Sequence, residues 1–185
     1  MTQPDYSLWL LPAPGSDLNA IRRIIARLRC AYGGAPLEPH LTLIPSLGQN
    51  RRGAIRTARA LSRLIAARPG LARSSVPIQG IALGEHRYQS VMLGIEPVPW
   101  LMTLHARACA YAALSGRPYF PHVSLLYANL GNAVRDAAAH SITEIPKRLL
   151  VDRLAICRVC TLTERRFAVW AWQLPGPGRA PVPIP

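Results

Sequence analysis

Two short stretches of the chain place the same side chains at the same spacing. They read Pro39-His40-Leu41-Thr42-Leu43 and Pro121-His122-Val123-Ser124-Leu125. Residues two apart in a strand project from one face. Each stretch would therefore present an imidazole and a hydroxyl together, with Leu41, Leu43, Val123 and Leu125 packing behind them. Of the five histidines, His40 and His122 alone have a serine or threonine two residues on. One such motif reads as easily as a hydrogen-bonded structural histidine; two in matching context point to a paired site. Imidazole titrates near neutrality, so one histidine can take a proton from a nucleophile while the other gives one to a leaving oxygen. The hydroxyls of Thr42 and Ser124 can hold non-bridging phosphate oxygens while phosphorus is five-coordinate. Opening a cyclic phosphodiester with water uses all four groups and asks for no metal.

The elements that must carry these groups occur twice. Residues 6–12 read as a strand, followed by a helix from Ser16 or Asp17 to about residue 31 with Ile21, Ile24, Ile25 and Leu28 on one face. Gly33 and Gly34 end that helix, and a strand over 39–47 carries His40. A helix over 51–67 and a strand over 76–83 complete the first half. The order then begins again, with a strand at 88–95, a helix at 99–114, the His122 strand at 121–128, a helix at 132–141, and strands at 149–163 and 167–174. A shift of 82 positions pairs Tyr6 with Tyr88, Leu11 with Leu93, Pro39 with Pro121, His40 with His122 and Leu43 with Leu125. The simplest arrangement is one α+β domain over 1–174, built of two lobes related by an approximate two-fold axis. The tail, 175–185, is mostly Pro, Gly and Ala and reads as disordered or polyproline.

Composition narrows the partners. The chain has 22 basic and nine acidic residues, a net charge of +13, and Lys147 is its one lysine. Such a balance favours phosphate-bearing partners, although a genome rich in arginine codons would produce it too. Arg52, Arg56, Arg59 and Arg63 form one helical stripe, either a track for an RNA backbone or a solvated face. No apolar run approaches the ~20 residues a bilayer crossing needs, and no basic region precedes the first apolar run. The chain is expected to be cytoplasmic, without membrane association. Cys157-Arg-Val-Cys160 has C-x-x-C spacing but lies in a strand-like run, with no second pair to complete a zinc site. Structural, buried thiols are the expected reading for this pair, and no disulfide framework is expected among them and Cys30 and Cys109. Tyr6 and Tyr88 could stack on a base or simply pack; His86, His105 and His140 read as structural or exposed. Trp9, Trp100, Trp170 and Trp172 show no pattern that separates ligand stacking from core.

The paired motifs resemble those of the 2H phosphoesterase superfamily. Three segments are most similar to its cyclic phosphodiesterase branch: Ser7-Leu8-Trp9-Leu10-Leu11-Pro12, Glu38-Pro39-His40-Leu41-Thr42-Leu43, and Phe120-Pro121-His122-Val123-Ser124-Leu125-Leu126-Tyr127. The resemblance runs from about residue 6 to 174. It implies a bilobal fold with two antiparallel sheets, outer helices and a central cleft across which the His strands face. It also implies hydrolysis of 2′,3′-cyclic nucleotides or ADP-ribose 1″,2″-cyclic phosphate, without a cofactor. The chain itself is expected to be a monomer. His40 and His122 would then be catalytic, Thr42 and Ser124 phosphate-binding, and Tyr127 a lining residue. Strict alternation puts Tyr127 on the face opposite His122, so its role requires a bulge or a strand end. Two alternatives remain: processing of RNA ends or 2′–5′ linkages, and a phosphate- or RNA-binding module without turnover. The Pro-rich tail and the arginine content lie outside the pattern. A metal-dependent hydrolase would need a carboxylate-rich cluster that the sequence lacks.

Overall fold

The structure, a computed structural model, describes residues 5–48, 50–67, 74–114, 118–159, 166–173 and 182–184. In chain order the elements are β1 (Asp5–Pro12), α1 (Ser16–Tyr32), β2 (Leu41–Ile44), α2 (Arg51–Ala66), β3 (Ser74–Leu83), a 3-10 turn (Arg87–Gln89), β4 (Val91–Ile95), α3 (Pro99–Tyr111), β5 (His122–Leu126), α4 (Asn132–His140), β6 (Arg148–Val159), β7 (Arg166–Gln173) and β8 (Val182–Ile184). Each helix has a local cause. The apolar face of α1 buries Leu18, Ile21, Ile24, Ile25 and Leu28. Asn50 caps α2 by accepting from the Gly53 amide at 3.1 Å. Pro99 opens α3, where its missing N–H costs nothing.

The strands form one antiparallel sheet, not the two expected. Its order is β1-β2-β5-β4-β3-β6-β7-β8, and β1 also pairs with β6, so the first six strands close on themselves. Alternation and composition reveal which segments are strands, but partner choice is tertiary: β2 joins β5 at Leu41↔Val123, and β3 joins β6 over Ser74–Pro77. Exchanging the halves leaves the order of the ring unchanged, with β6-β1-β2 on one side and β3-β4-β5 on the other. The third strand of each side comes from the other repeat. β3, which closes the first repeat, pairs with β4; β6, which closes the second, pairs with β1 from Asp5 to Pro12.

The core lies between this sheet and the helices. On β1, Tyr6, Leu8 and Leu10 enter the main core, while Trp9 packs on the other face with Ala155 and Cys157. The tail also differs from expectation at one point. Val182–Ile184 runs antiparallel to β7, two strand-forming residues flanking a proline that an edge strand tolerates. The rest of that tail, and Cys160, fall outside the described residues. No helix among the described residues is long and apolar enough to cross a membrane.

Candidate active site

The site is built where β2 meets β5. Leu41 and Val123 are paired and fully buried, so their neighbours point to the opposite face. Extending the antiparallel register one residue each way sets Thr42 across from His122 and His40 across from Ser124. Directly opposed residues have Cβ atoms about 4.5–5.5 Å apart. The two imidazoles and two hydroxyls thus share one small patch of sheet, each histidine beside the hydroxyl of the other motif.

Both histidines are held by the same device. His40 Nδ1 lies 2.6 Å from the Glu38 carbonyl, and His122 Nδ1 lies 2.9 Å from the Phe120 carbonyl. A carbonyl only accepts, so Nδ1–H must donate, and in the neutral ring Nε2 carries the lone pair. Each carbonyl precedes a proline whose fixed φ limits how it can move relative to the following imidazole. Beyond that bond the two differ. His40 is 4 % exposed and stacks on Trp9 at 3.6 Å between centroids and 12° between planes. Trp9 is itself tied down, its Nε1–H donating to Ser7 Oγ at 2.7 Å and Ser7 donating to the Ile44 carbonyl at 2.8 Å. His122 is half-buried, with the Gln89 side-chain nitrogen 3.5 Å from Nε2. Burial holds the His122 imidazole below its ordinary pKa of 6.5, and the Phe120 carbonyl opposes this by favouring the protonated ring.

A cavity of about 510 Å³ opens on this patch. Thr42, His122, Ser124, Tyr127, Tyr88 and Gln89 are among the residues lining it; His40 is not. The hydroxyl of Ser124 donates to the Tyr88 carbonyl at 2.8 Å. Tyr127 reaches the cavity because β5 is bulged. Met92 pairs with Ser124 but Val91 pairs with Leu126, so one extra residue flips the alternation and both Leu125 and Leu126 enter the core. Tyr127 meets Tyr88 edge-on at 5.4 Å and 83°. Its carbonyl accepts from Ala35 at 3.0 Å and lies 2.5 Å from where a Cβ on Gly34 would sit.

Other expected residues fall elsewhere. Tyr6 is not at the site: it is 7 % exposed in the core, because its parity along β1 is opposite to that of Trp9. Tyr88 is in the 3-10 turn rather than in β4, since the turn runs on to Gln89. Arg52, Arg56, Arg59 and Arg63 are exposed on α2, and none lines the cavity. Sequence reasoning missed Gln89, Ser7, His105, Cys109 and Tyr119 as lining residues. His105 and Cys109 are one helical turn apart on α3, a spacing that carries no signal until the fold turns it toward the cavity. Among the described residues, no three His, Cys, Asp or Glu side chains converge to hold a metal ion.

The profile of the family described as "cyclic phosphodiesterase-like protein" matches residues 5–169. The chain belongs to that family. A cyclic phosphodiesterase of Arabidopsis thaliana is 26 % identical over 172 residues, covering 89 % of this chain and 90 % of that one. Among solved structures, apo LigT of E. coli superposes with a TM-score of 0.59 at 21 % identity, covering 94 % of this chain and 99 % of LigT. LigT complexed with 3′-AMP superposes at 0.57 with 22 % identity and the same coverage. At such identities the likeness to LigT establishes the fold alone, a LigT-like α+β architecture.

Proposed function

We propose that this member of the cyclic phosphodiesterase-like family opens a ribose cyclic phosphate with water, using His122 as base and His40 as acid. The candidate substrates are a 2′,3′-cyclic nucleotide and ADP-ribose 1″,2″-cyclic phosphate. The observation that carries this reading is the matched pair of Nδ1–H bonds to the carbonyls two residues back, which sets both neutral rings in the same tautomer, with Nε2 as the basic nitrogen. A depressed pKa keeps His122 neutral near pH 7, the state a base must start in. With His122 as base the acid role falls to His40, whose imidazole stacks on Trp9. Thr42 would hold a non-bridging oxygen, and Ser124 would join it by turning its O–H from the Tyr88 carbonyl to the phosphate. A relative named cyclic phosphodiesterase, and LigT structures with 3′-AMP and with phosphate, support a nucleotide phosphate as the ligand class.

The test is turnover of 2′,3′-cyclic AMP, ADP-ribose 1″,2″-cyclic phosphate and an RNA ending in a cyclic phosphate, in chelator, with products resolved by phosphorus NMR. Ring opening that disappears in both His40→Ala and His122→Ala supports the mechanism. No turnover by folded protein, with phosphate binding retained, would leave a binding module. Activity that chelator abolishes would replace the two-histidine chemistry with a metal's. A second reading, RNA-end or 2′–5′ linkage processing, is favoured by the exposed Arg52, Arg56, Arg59 and Arg63 on α2. It requires that the RNA substrate be preferred and that its affinity fall with salt.

A further inference from the structure

The proposed reaction uses two imidazoles and two hydroxyls, and it leaves one polar neighbour of the base without a task. Gln89 is half-buried and lines the cavity, with its amide nitrogen 3.5 Å from His122 Nε2. A formed N–H hydrogen bond is closer to ~2.9–3.0 Å, so the two groups border a common space more than they bind each other. The turn that carries Gln89 is fixed at several points. The Gln89 N–H donates to the His86 carbonyl at 2.8 Å, closing the 3-10 turn. Ser90 Oγ–H donates to the Ala128 carbonyl, and the Arg135 guanidinium donates to the Gly84 carbonyl. Gly84 packs directly on the turn. A Cβ there would lie 2.6 Å from the Gln89 carbonyl oxygen and 2.8 Å from the Gln89 Cβ. Any side chain at position 84 would therefore push Gln89 from its place, and glycine lets the backbone approach this closely.

We infer that Gln89 orients the attacking water for His122, its amide oxygen accepting the water's second hydrogen. The inference rests on the two-histidine reading and deepens it. In that reaction water gives one proton to His122 Nε2, and its oxygen forms the new bond to phosphorus. The bond from phosphorus to one ribose oxygen breaks, and that oxygen takes the proton of His40. Water held by His122 alone can swivel about its single hydrogen bond. A second bond fixes the molecule and leaves a lone pair directed at phosphorus, which is a gain in orientation. A primary amide suits this task. It carries an acceptor and a donor on one plane, and rotation about its last torsion exchanges them. It takes no proton itself, so it places the water and leaves the base role to the imidazole. Glutamine orients an attacking water in the same manner in nucleoside triphosphatases.

Methanol tests this role, because its single O–H cannot bond to His122 and Gln89 together. The cyclic phosphate that the protein opens fastest would be turned over in water containing methanol. Water yields a phosphomonoester and methanol a methyl phosphodiester, and phosphorus NMR resolves the two. Gln89→Leu should slow hydrolysis by about 10²-fold, with the loss on kcat and KM within about twofold. Methanolysis should slow much less, so the methyl ester's share of product should rise about tenfold or more. Gln89→Glu keeps an acceptor at the same reach and should hold the parent ratio. A glutamine that only supports the fold would slow both nucleophiles alike. An unchanged product ratio in folded Gln89→Leu, a loss carried by KM, or a Gln89→Glu ratio equal to that of Gln89→Leu would overturn the role. The two readings fail separately. Parent turnover that both histidine variants lose, with Gln89→Leu unaltered, keeps the two-histidine chemistry and removes Gln89. Turnover that survives His122→Ala, or that the folded parent lacks, removes the base and the shared water with it.

Discussion

His40 and His122 make the same hydrogen bond from the same ring atom to the carbonyl two residues back, yet one is buried under an indole and the other borders a cavity beside a glutamine. The backbone device repeats because it needs only a Pro-His step at the start of a strand. The surroundings differ because they come from elsewhere in the chain: Trp9 from β1 on one side, Gln89 from the 3-10 turn on the other. A duplicated scaffold can thus set two identical side chains in different surroundings, and the proposed two-histidine reaction would draw on that difference.

The strongest way to break the comparison is to remove each histidine in turn. Both His122→Ala and His40→Ala are expected to lower kcat by about 10²–10⁴-fold. If His40→Ala retained near-parent turnover, the acid role would fall and the halves would be functionally unequal. Gly34→Ala comes next. Its φ of +104° disfavours any side chain, and the added Cβ would press on the Tyr127 carbonyl. A cost of at least ~1 kcal/mol is expected, read as a lower denaturant midpoint together with lower activity, because the strain lands on a cavity residue.

The hydroxyls give a subtler contrast. Thr42→Val should reduce kcat by about 10²-fold, as for one lost oxyanion donor. Ser124→Ala should reduce turnover less but cost about 1 kcal/mol of stability in denaturant titration, since it leaves the Tyr88 carbonyl without its buried donor. Comparable kinetic losses in both variants would mean that Ser124 reorients fully on binding.

The smallest effect is the acid limb. Because the folded pKa of His122 lies below 6.5, the unfolded chain binds more protons between that lowered value and 6.5. Stability should fall as pH drops through this window, and His122→Gln should flatten the slope. In the parent, the acid limb of kcat/KM should have its midpoint below pH 6.5, as the base takes up its proton. A midpoint above that value would remove His122 from the base role.

Most of the fold could be read from the chain because its elements are locally determined. Ile21, Ile24, Ile25 and Leu28 mark α1 by their spacing, Gly33 marks its end, and Pro121 introduces the strand that bears His122. Thr42, His122 and Ser124 were legible as a group because a period of two fixes their common face. Tyr6 was misplaced for the same reason in reverse, its parity being overruled by a match in the internal repeat. Tyr127 depended on a bulge that no residue type announces. The closure into one sheet, and the arrival of His105 and Tyr119 at the cavity, depend on contacts between segments far apart in sequence, where local pattern is silent.

The exchange of third strands between the repeats has a consequence for how the protein is made. During synthesis β1 emerges first, but the strand that covers its second edge over Asp5–Pro12 is β6, which emerges more than a hundred residues later. Until then the nascent first repeat carries an open strand edge, a template for unwanted pairing. Neither repeat can be a finished folding unit alone, since each borrows an edge from the other. Assembly of the ring, and with it the opposition of His122 and Thr42, must await nearly the whole chain.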